Sequence, residues 1–239
     1  DEAAELLAPF ARHAATGRPL VMAKYAMTLD GRIATRGGHA RWITGPAARR
    51  RAHGLRDVAD AVLVGAGTVR ADDPRLTVRH IDARRAPRQP LRVVLDSRGT
   101  LPETARVFDP ELPGHTVLAT TAASAPYASR LEARGVEVVR LPAADDGRVG
   151  LAALLDWLGA RDVMALLVEG GSAVLGAFFS AGLVDRVTAF IAPKIVGGAS
   201  APGPVGGEGG AERMDEAVVL GRVRTQAVGD DIMVTGTVG

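Results

Sequence analysis

The sequence predicts an α/β fold: a mixed, mostly parallel sheet flanked by helices and finished by a C-terminal antiparallel hairpin. Three observations carry this. Short apolar, β-branched runs such as "DAVLVGAG", "LRVVLDS", "HTVLATT" and "VMALLVEGG" recur along the 239 residues. Segments with helical spacing stand between most of them. The last two strand-like runs, "EAVVLGRVRTQAVG" and "DDIMVTGTVG", have no helix between them, which makes them a hairpin at an antiparallel edge.

Taken in order, "EAAELLAPFARHAATG" reads as a helix with Leu6, Leu7 and Phe10 on one side and Gly17 as its stop. "RPLVMAKYAM" is a strand that ends at the "LDGR" turn, where Asp-Gly tolerates positive φ. In "WITGPAARRRAHGLRDVAD", Thr44 is positioned to cap a helix that carries Pro46 in its first turn. The strand "DAVLVGAG" leads into a short "TVRADDPRL" segment interrupted by Pro74, and "LRVVLDS" and "HTVLATT" are further strands. "APYASRLEARG" is a helix stopped by Gly135, and "VEVVRLP" is a strand. "GLAALLDWLGARD" places Leu151, Leu154, Leu155 and Leu158 on one helical face. The strand "VMALLVEGG", the helix "SAVLGAFFSAGL" and the strand "VDRVTAFIAPKIVGG" follow. The Gly- and Pro-rich "GGASAPGPVGGEGGAERM" reads as a mobile surface loop. No repeat and no linker divides the chain.

Composition narrows the function. The formal net charge is +2 and the sequence pI about 9.5, with basic residues scattered among acids, which does not mark a nucleic-acid binder. Aromatics are 4%, too few for base-stacking platforms. With no cysteine, disulfides, thiolate metal sites and cysteine nucleophiles are excluded. The five histidines (His13, His39, His53, His80, His115) never fall at metal-ligand spacings, so no metal is expected. No apolar run reaches transmembrane length and "DEAAELL" is unlike a signal peptide, so the expectation is a soluble, cytoplasmic protein without membrane partners.

Of 29 basic residues, only Lys24 and Lys194 are lysines. Lys24 stands inside the apolar run "PLVMAKYAM", either as a functional ammonium or as a lysine snorkelling from an edge strand. In "LLVEGGSAVLGAFF" a buried strand ends at Glu169, Gly170-Gly171 permits a tight turn, and Ser172 can cap the next helix. Such a helix start favours a phosphate, although a tight strand–helix turn needs no ligand. "VLVGAGTVRADDP" is not a dinucleotide fingerprint, because Arg70 takes the third glycine position and Pro74 leaves no long helix. Arg56, Arg79 and Arg98 are candidate phosphate ligands or surface charges. "VVLDSRG" puts Ser97 and Arg98 at a strand's carboxyl end, where a ribose or its 2′-phosphate can be read. Trp42 either covers a flat ring or is a buried anchor.

Together, "KYAMTLDGRIA", "RWITGPAARR", "LRDVADAVLVGAGTVRADDPRLTVR", "LRVVLDSRGTLP", "LLVEGGSAVLGAFF" and "GLVDRVTAFIAPKIVGG" resemble the reductase domain of riboflavin biosynthesis, the C-terminal half of bifunctional pyrimidine deaminase/reductases. The resemblance spans roughly residues 18 to 198 and defines a reductase domain over 18–239 behind a linker-like helix at 1–17. The deaminase zinc site requires cysteine, so the chain is expected to be a stand-alone reductase or an excised half.

The resemblance implies a dihydrofolate-reductase-like fold, a homodimer, and NADPH-dependent reduction of the ribosyl chain of 5-amino-6-(5-phosphoribosylamino)uracil. It implies NADPH contacts from Ala26, Trp42, Thr68, Asp72, Ser97 and the turn Gly171, Ser172, Ala173, Val174, Leu175, Gly176 and Ala177. Substrate contacts fall to Ala40, Arg56, Leu76, Arg79 and Glu169. Position 40 is often serine in the family, so its hydroxyl contact is missing here or replaced by His39 or the backbone. Lys24, Asp72 and Glu169 are the candidate catalytic residues, Lys24 polarising the opened sugar and the two carboxylates orienting ribose and amine. Competing expectations are a relative acting on a 2,5-diaminopyrimidinone ribotide or a dihydropterin, and a nucleotide-binding regulator without catalysis.

Overall fold

The computed structural model describes residues 2–79, 86–207 and 209–239. His80 lies outside the described residues. The chain forms two compact units, one from residues 1–20, 56–78 and 83–167, the other from 21–55, 79–82 and 168–239. Each unit is built from segments far apart in the sequence, because the chain passes back and forth between them.

The first unit holds α1 (Glu2–Thr16), β2 (Ala61–Gly65), α3 (Ala66–Asp72), β3 (Leu91–Leu95), β4 (Thr116–Thr120), α4 (Ala125–Glu132), β5 (Glu137–Arg140) and α5 (Leu151–Gly159). Its strands run parallel in the order β5-β4-β3-β2, joined by the start of β6 (Ala165–Gly170). Val62, Leu63, Val64, Val93, Val94, Val117 and Leu118 are fully buried, as expected of parallel strands covered on both faces. Arg92 is buried among them with no carboxylate partner among the described residues. Its guanidinium donates to Thr116 Oγ1 and to the carbonyls of Pro113 and Gly114 (2.7, 2.6 and 3.0 Å), and burial lowers its pKa. Gly17 stops α1 as expected, with φ +69 and its amide on the His13 carbonyl. Leu6, Leu7 and Phe10 are exposed.

The second unit holds β1 (Leu20–Thr28), most of α2 (Pro46–Val58), the end of β6, α6 (Ser172–Ser180), β7 (Arg186–Ala192), β8 (Leu220–Val228) and β9 (Asp231–Val238). Its strand order is β6-β1-β7-β9-β8, with β1 parallel to β7 and the terminal hairpin antiparallel. The register pairs Lys24 with Thr188 and Ala26 with Phe190. Residues two apart share a face of a strand, so Lys24 lies on the face where Ala26 and Phe190 pack with Ala48, Leu55, Met233 and Val228.

Several local expectations change. The α2 helix begins at Pro46, so Thr44 stands too early to cap it; the carboxylate of Asp231 instead accepts the Gly45 amide (2.7 Å). The Gly/Pro-rich loop is anchored rather than loose: Arg32 donates to the Ala201 carbonyl (2.7 Å), Ile33 to that of Pro202 (2.9 Å), and Gly206 to that of Ser172 (3.1 Å).

Candidate active site

Lys24 is the first element of the site. It sits on a strand flanked by β6 and β7, so the edge-strand explanation for this lysine does not hold. Its Nζ lies 3.6 Å from Glu169 Oε2 and 5.9 Å from the Phe190 ring centroid. The side chains are 15% and 6% exposed, so the pair is shielded from most of the water that would otherwise screen it. The sequence predicted both residues; the structure brings them together.

Glu169 is followed directly by the turn into α6. Gly170 and Gly171 have φ +77 and +75, a region where a side chain is strained, which explains the glycine pair. Gly171 takes the N-cap position without a side-chain cap and Ser172 is the first helical residue, so the expected Ser172 cap is not formed. The first amides of a helix have no intrahelical acceptor, which leaves this start suited to an anion. The chain around Gly206 lies against the same helix: a Cβ on Gly176 would fall 1.5 Å from the Gly206 carbonyl oxygen.

Trp42 is 63% exposed, which removes the buried-anchor reading. The Arg49 guanidinium lies 4.5 Å from its ring centroid, and Lys194 Nζ donates to the carbonyls of Trp42 and Ile43, each at 2.7 Å. Ala40 is half-buried beside a turn in which Thr35 and His39 exchange hydrogen bonds, and His39 itself is exposed. Arg79 is exposed, its amide donating to His53 Nδ1 (3.3 Å). Ala26 packs in the core cluster beside Phe190.

Within the first unit, Thr68 and Asp72 lie on the short helix α3, whose N-cap is Gly65. Asp73, not Asp72, makes the structural turn: it adopts φ 42 and pairs with Arg106 (2.8 Å). Leu76 has φ 54 and is 3% exposed, so its side chain is core and any ligand contact falls to its backbone. The Arg56 guanidinium donates to the Thr77 carbonyl (3.2 Å), which braces the same segment. Ser97 Oγ accepts the Val149 amide (2.9 Å), so its own hydrogen is left to donate. Arg98 is exposed and makes no hydrogen bond or ion pair with any described residue.

Asp30 was read from the sequence only as part of the turn after β1, and its role as the acceptor that closes that turn was missed. Its carboxylate accepts from Thr28 Oγ1 (2.6 Å), Gly197 N (2.7 Å) and Val196 N (3.2 Å), and these bonds, the Thr28 hydroxyl foremost, hold its pKa at about 2. Lys194 and Asp231 were missed as well. For Lys194 a signal existed, because lysine is so rare in this chain. Among the described residues no group of side chains is arranged to hold a metal ion, and no helix is long and apolar enough to cross a membrane.

Residues 19–234 match the RibD C-terminal domain family. The chain is 39% identical over 224 residues to the riboflavin biosynthesis protein RibD of Actinobacillus pleuropneumoniae, covering 94% of this chain and 58% of that protein. It is 42% identical over 222 residues to the 2,5-diamino-6-ribosylamino-4(3H)-pyrimidinone 5′-phosphate reductase of Methanothermobacter thermautotrophicus, covering 92% of this chain and 99% of that one. The form 1 structure of Acinetobacter baumannii RibD superposes with a TM-score of 0.84 at 31% identity, over 99% of this chain and 63% of that chain. The chain thus spans about three-fifths of these two RibD proteins.

Proposed function

Because this chain belongs to the RibD C-terminal domain family, we propose that it is a reductase of riboflavin biosynthesis that uses NADPH to convert the ribosyl side chain of a phosphorylated aminopyrimidine into a ribityl chain. The observation that carries this reading is the shielded Lys24–Glu169 pair set directly before the glycine turn into α6. It sets an ammonium from β1 against a carboxylate at the end of β6, just before the start of α6, all within the second unit.

The residues fit a dinucleotide. Gly171 leaves the α6 start without a side-chain cap, Trp42 offers an exposed indole, and the Ser97 hydroxyl and Arg98 guanidinium have donors to spare. In this reading Ala26, Trp42, Thr68, Asp72, Ser97 and Gly171 through Ala177 hold the cofactor, and Ala40, Arg56, Leu76, Arg79 and Glu169 hold the substrate. Bound there, NADPH supplies a hydride.

The C1′–O4′ bond of the ribosylamine opens as the iminium C1′=NH⁺ forms, and O4′ takes a proton. The C1′ carbon then accepts the hydride and the nitrogen keeps one proton, giving the ribitylamine. In this reading Lys24 Nζ–H donates to the 4′-oxygen as that bond breaks. Glu169 offsets the ammonium's charge and accepts from the amine.

Two substrates compete. The deaminated compound, 5-amino-6-(5-phosphoribosylamino)uracil, is the first reading. The second is the 2,5-diamino compound, favoured by the 42% identity with a reductase of which this chain covers 99%. The deciding experiment is NADPH oxidation with each compound and with dihydrofolate. Turnover of one ribotide but not dihydrofolate supports the proposal and picks the substrate. Turnover of neither ribotide overturns it. We further expect a homodimer, because β8 is an edge strand exposed along nearly its whole length; sedimentation at the monomer mass would refute this.

A further inference from the structure

We propose that Lys194 is a positioning residue that fixes the Trp42 indole as a platform for the nicotinamide cofactor. The inference rests on the reading above that Trp42 meets NADPH, and it deepens that reading.

Lys194 lies two residues beyond β7, and its backbone is held on both sides. Its amide donates to the Ala192 carbonyl (2.8 Å), and its carbonyl accepts from Leu29 (2.9 Å). Just downstream, the Asp30 carboxylate accepts the amides of Val196 and Gly197 (3.2 and 2.7 Å). From this fixed base Nζ reaches two consecutive carbonyls, Trp42 and Ile43, each at 2.7 Å.

Trp42 needs such a tether. Its side chain is 63% exposed, so burial does not set its position. The Arg49 guanidinium lies 4.5 Å from the ring centroid, and the backbone beneath is tied down by Lys194. The residue type is also informative. The chain uses arginine nearly everywhere, yet position 194 is one of its two lysines. An ammonium is a compact centre with three rotatable donors, able to meet two neighbouring carbonyls from one point, whereas a guanidinium presents a planar, rigid fork.

The test uses the full chain with Trp157→Phe, so that Trp42 is the only tryptophan. Lys194→Met should raise the KM for NADPH about tenfold, the scale of one lost charge-assisted contact, and leave kcat within about twofold. Trp42 fluorescence anisotropy should fall while the melting temperature holds. Lys194→Gln, which stays polar but cannot donate as a cation, should shift KM in the same direction and guards against misfolding of the methionine variant. A wild-type KM for NADPH in both Lys194 variants overturns the proposal. Trp42→Ala, assayed in the otherwise wild-type chain, separates the two levels of inference. A raised KM in Trp42→Ala with none in the Lys194 variants removes only the role of Lys194. An unchanged KM in Trp42→Ala removes the contact between Trp42 and cofactor itself, and the proposal with it.

Discussion

Lys24 on β1 and Glu169 on the adjacent strand β6 form a shielded ion pair, Nζ to Oε2 3.6 Å. A cation in such a place has a reason beyond solubility. Removing one partner of a shielded pair leaves the other charge poorly solvated, so stability and catalysis can be separated. Lys24→Met should lower stability by roughly 2 kcal/mol, a fall in melting temperature of about 4–8 °C for a chain of this size. Adding Glu169→Gln should recover most of that stability. Neither variant should recover turnover: kcat is expected to fall about a hundredfold or more, the scale of acid–base assistance. A double variant with wild-type kcat would show that the pair is structural.

The backbone approach between α6 and the Gly206 segment gives a steric prediction. A methyl group on Gly176 would sit 1.5 Å from a carbonyl oxygen, and backbone cannot turn aside as a flexible side chain does. Gly176→Ala should cost roughly 1–3 kcal/mol and raise the KM for NADPH, since α6 and the loop must part. Gly54→Ala is the control. A Cβ on Gly54 meets nothing within 4 Å in the middle of α2, so this change should stabilise by up to about 1 kcal/mol. Denaturant melts of the two variants in opposite directions would confirm the contrast.

Acid should act on the turn after β1 through Asp30. Its folded pKa, about 2, lies below the ordinary value of 3.8. A depressed carboxyl pKa contributes stability that is fully present above the unfolded value and is lost as pH falls toward the folded one. Wild-type protein should therefore lose stability between pH of about 4 and 2 more steeply than Asp30→Asn, which has no carboxylate to titrate. Equal acid slopes in urea titrations would show that Asp30 is not held as described.

Cofactor choice should depend on Arg98, which is exposed and makes no bond with any described residue. Arg98→Ala should reduce the preference for NADPH over NADH about tenfold in kcat/KM, the worth of one charge-assisted contact to a phosphate. Ser97→Ala should do less, because the hydroxyl also accepts the Val149 amide and its loss is partly structural. An unchanged ratio in Arg98→Ala would move the 2′-phosphate elsewhere.

The sequence by itself determined whatever depends on near neighbours along the chain. Apolar runs without a polar phase became the parallel strands, because both of their faces are covered. The Gly170-Gly171 pair marked a turn that demands positive φ in both residues, and Lys24 stood out because an ammonium in an apolar run is costly without a partner. The tertiary structure decided what those features meet. Gly45 finds its carboxylate 186 residues away at Asp231, and Lys194 finds the Trp42 carbonyl 152 residues away. The "GGASAPGPVGGEGG" stretch has the composition of a loose loop, yet backbone bonds from Ile33 and to Ser172 anchor it. The interleaving of the two units is equally silent in the sequence. Periodicity and turn chemistry are local properties, whereas a bond to a backbone group of a distant segment leaves no pattern of side chains to read.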